Sequence, residues 1–143
     1  MKNIQLTIVI IVAVFSMISC GGGNSDNSSS SSDVPAPSSL LGKSYRVTIS
    51  SGSGVFATTG NLTINASSTE NTYTIAGDGV NVANSAGSFT YSTSGSQGIL
   101  DVVDSSFSFG SFVLTFTTST TGTYQATVES DPNSIQTGSF VEL

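Results

Sequence analysis

Apolar and polar residues alternate in short segments over most of the chain, beginning near Leu40. In the first of these segments, Tyr45, Val47 and Ile49 are separated by polar residues. A period of two places one face of a strand toward a core and the other toward water. No window has a sustained helical period. The predicted strands are Tyr45–Ile49, Leu62–Ile64, Tyr73–Ile75, Val80–Ala83, Ser88–Thr93, Ile99–Val103, Ser111–Thr117, Thr123–Glu129 and Ser139–Leu143.

Glycine recurs two positions before an apolar residue in several of these segments. The examples are Gly60-Asn-Leu62, Gly87-Ser-Phe89, Gly122-Thr-Tyr124 and Gly138-Ser-Phe140. Because glycine adopts positive φ readily, we interpret each of them as a turn that feeds a strand. The irregular spacing of these glycines argues against a solenoid repeat and favours a meander of hairpins.

The predicted fold is all-β, a small antiparallel meander barrel of about eight to nine short strands. Closing the sheet into a barrel removes its exposed edges. An immunoglobulin-like β-sandwich is the alternative, although the chain has one cysteine and no tryptophan and so lacks the hallmarks of that fold. The apolar phase shifts between Phe109 and Phe112, so Gly110 is expected at a bulge or a loop tip. In a loop, Phe107 and Phe109 would lie at the barrel rim.

The N-terminal part of the chain has a different pattern. Lys2 precedes the apolar run Leu6–Phe15, and small residues lead to Cys20, the only cysteine. An apolar run of about 10 to 14 residues is shorter than the roughly 20 that a membrane-spanning helix needs, so we expect a cleaved signal peptide over 1–19. Residues 20–39 are rich in Gly and Ser and are predicted to form a disordered tether. A single all-β domain is predicted over 40–143.

The end of the apolar segment, Met17-Ile18-Ser19-Cys20, resembles the lipobox of bacterial lipoproteins. The resemblance implies that the sulfur of Cys20 carries a diacylglyceryl group and that its freed amine is acylated, which anchors the chain in a membrane. Gly21, and not aspartate, follows the cysteine, which in such lipoproteins favours the outer membrane. The implied localisation is the bacterial cell envelope, at the outer membrane, on either its periplasmic or its surface face.

Composition argues against several classes of function. The chain has three Lys and Arg residues and a formal net charge of −6, so we expect no nucleic-acid partner. It has no histidine, which excludes the usual Ser-His-Asp and Cys-His catalytic devices and disfavours a zinc site. The carboxylates lack the density of a calcium loop. We therefore predict no enzymatic activity, no cofactor and no metal.

One enzymatic alternative remains open, a glycosidase pair of carboxylates, because sequence spacing does not fix the distance between carboxyl groups. The candidates for such a pair are Asp101, Asp104, Glu129 and Asp131.

The start of the domain, Gly42-Lys43-x-Tyr45-x-Val47, is followed by a hairpin element of the Gly-x-Leu-x-Ile kind at Gly60–Ile64. This pattern resembles the small lipocalin-like, or calycin-like, barrels, including MoaF-type domains, over about residues 40 to 143. The resemblance implies a small barrel whose interior is either filled or holds a ligand.

Two functions are weighed for the domain. The first is a structural or interaction module of the cell envelope, which is favoured because the apolar side chains are about enough to fill a small closed barrel. The second is lipocalin-like binding of a small apolar or amphipathic ligand. The candidate ligand-binding residues are Phe107, Phe109, Tyr45, Tyr91 and Tyr124, although the tyrosines also fit core positions. A continuous pocket of about 300 Å³ or more would favour binding, and a solid interior would favour the filled barrel.

Overall fold

Eight antiparallel strands close into a barrel. The computed structural model of the chain describes residues 34–106 and 108–143. The strands are β1 (Ser44–Gly52), β2 (Gly60–Ala66), β3 (Thr72–Gly77), β4 (Ser85–Ser94), β5 (Gln97–Asp104), β6 (Ser108–Phe116), β7 (Thr121–Val128) and β8 (Asp131–Glu142). Strands that follow one another in the chain pair, and β1 pairs with β8. The predicted meander barrel is therefore confirmed, and the sandwich alternative is not. Within the described ranges, no helix is long and apolar enough to cross a bilayer.

The segment Val80–Ala83, predicted as a strand, instead lies in the connection between β3 and β4. Asp78 provides the physical reason. Its Oδ1 accepts hydrogen bonds from the backbone N–H groups of Val80, Asn81 and Val82 at 3.0, 2.8 and 3.0 Å. Such local bonds from a side chain to the backbone compete with a sheet ladder, so the strand prediction was wrong here.

The prediction for Gly110 was also wrong, because this residue lies inside β6. It pairs with Val102 on β5 and with Val128 on β7, and the β5–β6 register is continuous. The apolar phase shifts because Phe109 is an apolar residue on the outer face, where it pairs with Val103 and is 39% exposed.

The recurring glycines serve a different purpose from the one predicted. Of the four, only Gly60 has a positive φ, at 143°. The other three lie inside strands, each opposite an aromatic residue of a neighbouring strand: Gly87 faces Tyr73, Gly122 faces Phe140 and Gly138 faces Tyr124. A Cβ atom at any of these three positions would lie 2.6–2.8 Å from the nearest atom of that aromatic side chain. These glycines therefore make room for inward-pointing rings.

The segment before β1 packs against the barrel. Leu40 is 6% exposed and belongs to the apolar core, and Ala36 packs against the same core. The Ala36 N–H donates to the carbonyl of Gly95 at 2.9 Å, and the Gly42 N–H donates to the carbonyl of Ser67 at 2.9 Å. The packed domain thus includes Ala36, before the predicted start at Leu40. Cys20 and the first part of the predicted tether lie outside the described residues.

The two ends of the barrel contain different parts of the chain. The N-terminal end contains the connections β2–β3, β4–β5 and β6–β7 together with the segment 34–43. The loop end contains the connections β1–β2, β3–β4, β5–β6 and β7–β8. Because the strands alternate in direction, β1 and β5 both start at the N-terminal end and finish at the loop end.

Candidate ligand-binding cavity

A cavity of about 330 Å³ lies inside the barrel. Every strand contributes to its wall, and most of the contributing side chains are apolar, among them Val47, Ile64, Leu100 and Leu114. At the N-terminal end the cavity reaches Leu40. An eight-stranded barrel is about the size at which the interior either fills with side chains or holds one small ligand. The volume is within the range of ligand pockets.

Three connections border the cavity at the loop end. They contribute Val55, Phe56 and Ala57 from β1–β2, Asn81, Val82 and Ala83 from β3–β4, and Ser106 from β5–β6. The ring of Phe56 packs edge-on against that of Phe112, with centroids 6.5 Å apart. The loop end thus combines apolar groups with a smaller number of polar ones.

Hydrogen bonds to β8 hold the β1–β2 connection in place. The N–H of Val55 donates to Oγ of Ser134 at 3.0 Å, and Nε2 of Gln136 donates to the carbonyl of Ala57 at 3.1 Å. Oε1 of Gln136 in turn accepts the hydroxyl proton of Tyr124 at 3.0 Å. Burial raises the pKa of Tyr124, so its hydroxyl stays protonated and keeps this bond.

The β3–β4 connection is held by Asp78. Hydrogen bonds from the backbone N–H groups of Val82, Val80 and Asn81, and a weaker one from Asn61, lower the pKa of the Asp78 carboxyl to about 2. The carboxylate is therefore ionised at neutral pH and accepts hydrogen bonds from this border of the cavity.

Asp104, the last residue of β5, is a carboxylate that is only 4% exposed. Its Oδ2 accepts the hydroxyl protons of Tyr73 at 2.6 Å and Ser85 at 3.0 Å. Its Oδ1 accepts the backbone N–H of Ser106 at 2.7 Å and the hydroxyl of the same residue. Burial raises the pKa of Asp104, but the hydrogen bonds from Ser106, Tyr73 and Ser85 outweigh it, and the net pKa lies below its ordinary value. We call these four residues the Asp104 cluster.

A glycine makes the Asp104 cluster possible. Gly87 on β4 pairs with Tyr73 on one side and with Asp104 on the other. Because Gly87 has no side chain, the phenol of Tyr73 crosses over it and reaches the carboxylate two strands away. Burial and the bond to Asp104 raise the pKa of Tyr73, so it acts as a neutral donor.

The structure brings two of the five predicted ligand-binding residues to the cavity, Tyr45 and Tyr124. Tyr91 is partly buried against the apolar core, over Gly98, and does not border the cavity. Phe109 faces outward. Phe107 and the lipidation residue Cys20 lie outside the described residues.

Tyr45 and Tyr91 share an unusual feature. The hydroxyl groups of both are buried and have no hydrogen-bond partner within residues 34–106 and 108–143. Burial raises the pKa of each. Both residues therefore act as large core side chains rather than as polar anchors.

The sequence reasoning missed the Asp104 cluster and the residues that border the loop end. The inward phase of β5, which runs through Leu100 and Val102 to Asp104, was the available signal for a buried carboxylate. Asp101 and Asp104 lie three positions apart on one strand and so point to opposite faces, which removes this pair from the glycosidase alternative. No group of three or more His, Cys, Asp or Glu residues in the described part of the chain is placed to hold a metal ion.

Comparison with known proteins finds no matching family model, no matching curated protein and no matching solved structure. The basis for a function is therefore the cavity and the chemistry of its wall.

Proposed function

We propose that the domain binds one small apolar or amphipathic molecule inside its barrel. The observation that carries this proposal is the cavity of about 330 Å³ with its mostly apolar wall. Protein interiors are close-packed and contain few voids larger than a water molecule, so packing alone does not account for a space of this size. The cavity favours ligand binding over the structural module that the supply of apolar side chains had favoured.

The wall indicates how such a ligand lies. Apolar side chains line the barrel from Leu40 to the middle of the strands, and polar groups concentrate at the loop end around Ser85 and Ser106. An amphipathic ligand would place its apolar part along the barrel and its polar part at the loop end. Burying about 200 Å² of apolar ligand surface would contribute roughly 5 kcal/mol.

Anchoring through Cys20 is a separate part of the proposal. The lipobox resemblance of Met17–Cys20 supports a lipoprotein of the bacterial cell envelope, and Gly21 supports the outer membrane. Fatty-acid labelling of the full-length chain and of Cys20→Ser tests the anchor. Loss of the label in the variant supports it, and a label that persists overturns it.

Ligand binding is tested with the neutral dye N-phenylnaphthylamine, whose fluorescence rises in apolar surroundings. The full-length chain is titrated with the dye, and decanol is then added as a competitor. We expect saturable binding that decanol reverses, because both molecules would occupy the one cavity. Dye fluorescence that does not rise, or that decanol does not reduce, would overturn the proposal.

Two neighbouring residues on β6 provide a matched pair of variants. Leu114 lines the cavity, whereas Val113 is on the outer face and is 38% exposed. Leu114→Trp fills part of the cavity and should weaken dye binding at least tenfold, while Val113→Trp should leave it unchanged. Circular dichroism establishes that both variants fold, and Leu100→Phe replaces Leu114→Trp if the latter does not. Equal dye affinity in the filled variant and in Val113→Trp would place the dye outside the barrel.

A further inference from the structure

Three hydroxyl groups on the cavity wall donate their hydrogen bonds to one carboxylate, that of Asp104. Tyr73, Ser85 and Ser106 all line the cavity. Each of their hydroxyl groups donates to Asp104, and the backbone N–H of Ser106 does so as well. A hydroxyl has one proton and two lone pairs. These three hydroxyls can therefore only accept a hydrogen bond from a ligand.

The charge of Asp104 has no cation beside it. In the described part of the chain the cations are Lys43 and Arg46, both at the N-terminal end of the barrel, and Lys43 is paired with Glu142 at 2.7 Å. The four hydrogen bonds to Asp104 come from neutral donors. The negative charge therefore acts on the adjacent cavity, where the apolar wall screens it less than water does.

Other carboxylates at the loop end add to the negative charge there. Asp78 follows β3, Glu129 follows β7 and Asp131 begins β8. The connections at this end, 53–59, 78–84, 105–107 and 129–130, contain no Lys or Arg in the sequence. Charge of one sign around a cleft with low-dielectric walls raises the local concentration of ligands of the opposite sign.

We propose that the cavity selects a cationic amphiphile, such as a long-chain primary amine, whose ammonium group lies against the hydroxyl oxygens of Ser85 and Ser106. An ammonium group has three donors and no acceptor, which matches the three hydroxyls that can only accept a hydrogen bond. A carboxylate head group has only acceptors and meets like charge, so anionic amphiphiles are rejected. This inference rests on the proposed ligand binding and names the class of ligand.

Three ligands of equal chain length test the selectivity on the full-length chain. Decylamine, decanol and decanoate compete with N-phenylnaphthylamine at neutral pH and low salt. We expect decylamine to bind at least about tenfold more tightly than decanoate, with decanol between them, because the difference comes from charge in a poorly screened site. If decanoate or decanol binds as tightly as decylamine, the proposed selectivity is overturned, but the proposed ligand binding is not. Failure of the dye and of decanol to bind would overturn ligand binding itself.

A matched pair of variants assigns the selectivity to one residue. Asp104→Asn removes the charge beside the cavity, whereas Asp101→Asn removes a charge from the outer face of the same strand. We expect the ratio of decylamine to decanoate affinity to fall about tenfold in Asp104→Asn and to stay unchanged in Asp101→Asn. An unchanged ratio in Asp104→Asn would overturn the assignment. If that variant does not fold, Ser85→Ala takes its place, because it keeps the carboxylate and removes one accepting oxygen. The affinity for decylamine should then fall several-fold. Undiminished decylamine binding in Ser85→Ala would contradict the proposed contact.

Discussion

The two ends of this barrel are built by different means. At the N-terminal end, a segment from outside the sheet contributes Leu40 as an apolar plug, and backbone hydrogen bonds from Ala36 and Gly42 tie that segment to two connections. At the loop end, longer connections, 53–59 and 78–84, border the cavity and are held by buried or ionised polar groups. Apolar burial therefore holds the structure together at one end, and hydrogen-bond networks do so at the other.

This difference has a consequence for recognition. An apolar plug contributes stability but offers a ligand no directional contact, since the hydrophobic effect is non-directional. The Asp104 cluster has fixed geometry and fixed polarity. In the proposed binding mode, the polar network therefore distinguishes the polar group of the ligand, and the end that contains Leu40 receives the apolar tail.

The strongest test of the plug is Leu40→Ala. Leu40 is 6% exposed, whereas its neighbour Leu41 is 39% exposed. Removing buried leucine methyl groups costs transfer free energy and leaves a void, so we expect a loss of about 2–5 kcal/mol in the free energy of unfolding. Leu41→Ala should cost about 0.5 kcal/mol or less. Urea unfolding of both full-length variants measures the difference, and equal losses would mean that Leu40 contributes no more to the core than its exposed neighbour.

Two tyrosines on the cavity wall allow a comparison between a buried hydroxyl group that has a hydrogen-bond partner, that of Tyr73, and one that has none in the described part of the chain, that of Tyr45. Tyr73→Phe removes a donor from the buried Asp104 and should cost about 1–3 kcal/mol. Tyr45→Phe removes a hydroxyl that is buried without a partner in the described part of the chain, so it should be neutral or slightly stabilising. Urea unfolding at neutral pH compares the two. A cost for Tyr45→Phe as large as that for Tyr73→Phe would remove the distinction between them.

Acid provides the control for this comparison. The pKa of Asp104 is lowered in the folded state, so the stability that its ionised form contributes is present above the unfolded pKa of about 3.9. That contribution is lost as the pH falls through the folded pKa. The difference between Tyr73→Phe and the unchanged chain should therefore shrink in acid. A difference that is independent of pH would show that the Tyr73 hydroxyl acts without the carboxylate.

How far the fold was predictable depends on what each strand buries. β1 was found because its inward residues, Tyr45, Val47 and Ile49, are apolar. β8 was predicted only from Ser139, although it begins at Asp131, because its first half buries Ser134 and Gln136, which are 0% and 6% exposed. A strand whose inward phase is polar has no hydrophobic period to detect.

The candidate site was harder to predict than the fold. Tyr73, Ser85 and Asp104 come together only when β3, β4 and β5 are in register across Gly87, and no local pattern encodes that register. The cavity depends on which way each large side chain points. Val103 and Phe109 are apolar but lie on the outer face, 53% and 39% exposed, so they do not help to fill the interior. A count of apolar residues therefore overstated how full the barrel is.

The smallest expected effect concerns the ion pair at the N-terminal end. Nζ of Lys43 lies 2.7 Å from Oε1 of Glu142, with side chains that are 29% and 20% exposed. Solvent screens such a pair, so Lys43→Met should cost about 0.5–1 kcal/mol at low salt and less as salt is added. Arg46→Met is the control, because Arg46 has no ion-pair partner within the described ranges, and it should have almost no effect. A loss of several kcal/mol in Lys43→Met that shrinks strongly as salt is added would mean that charge, and not the burial of Leu40, is the main source of stability at this end of the barrel.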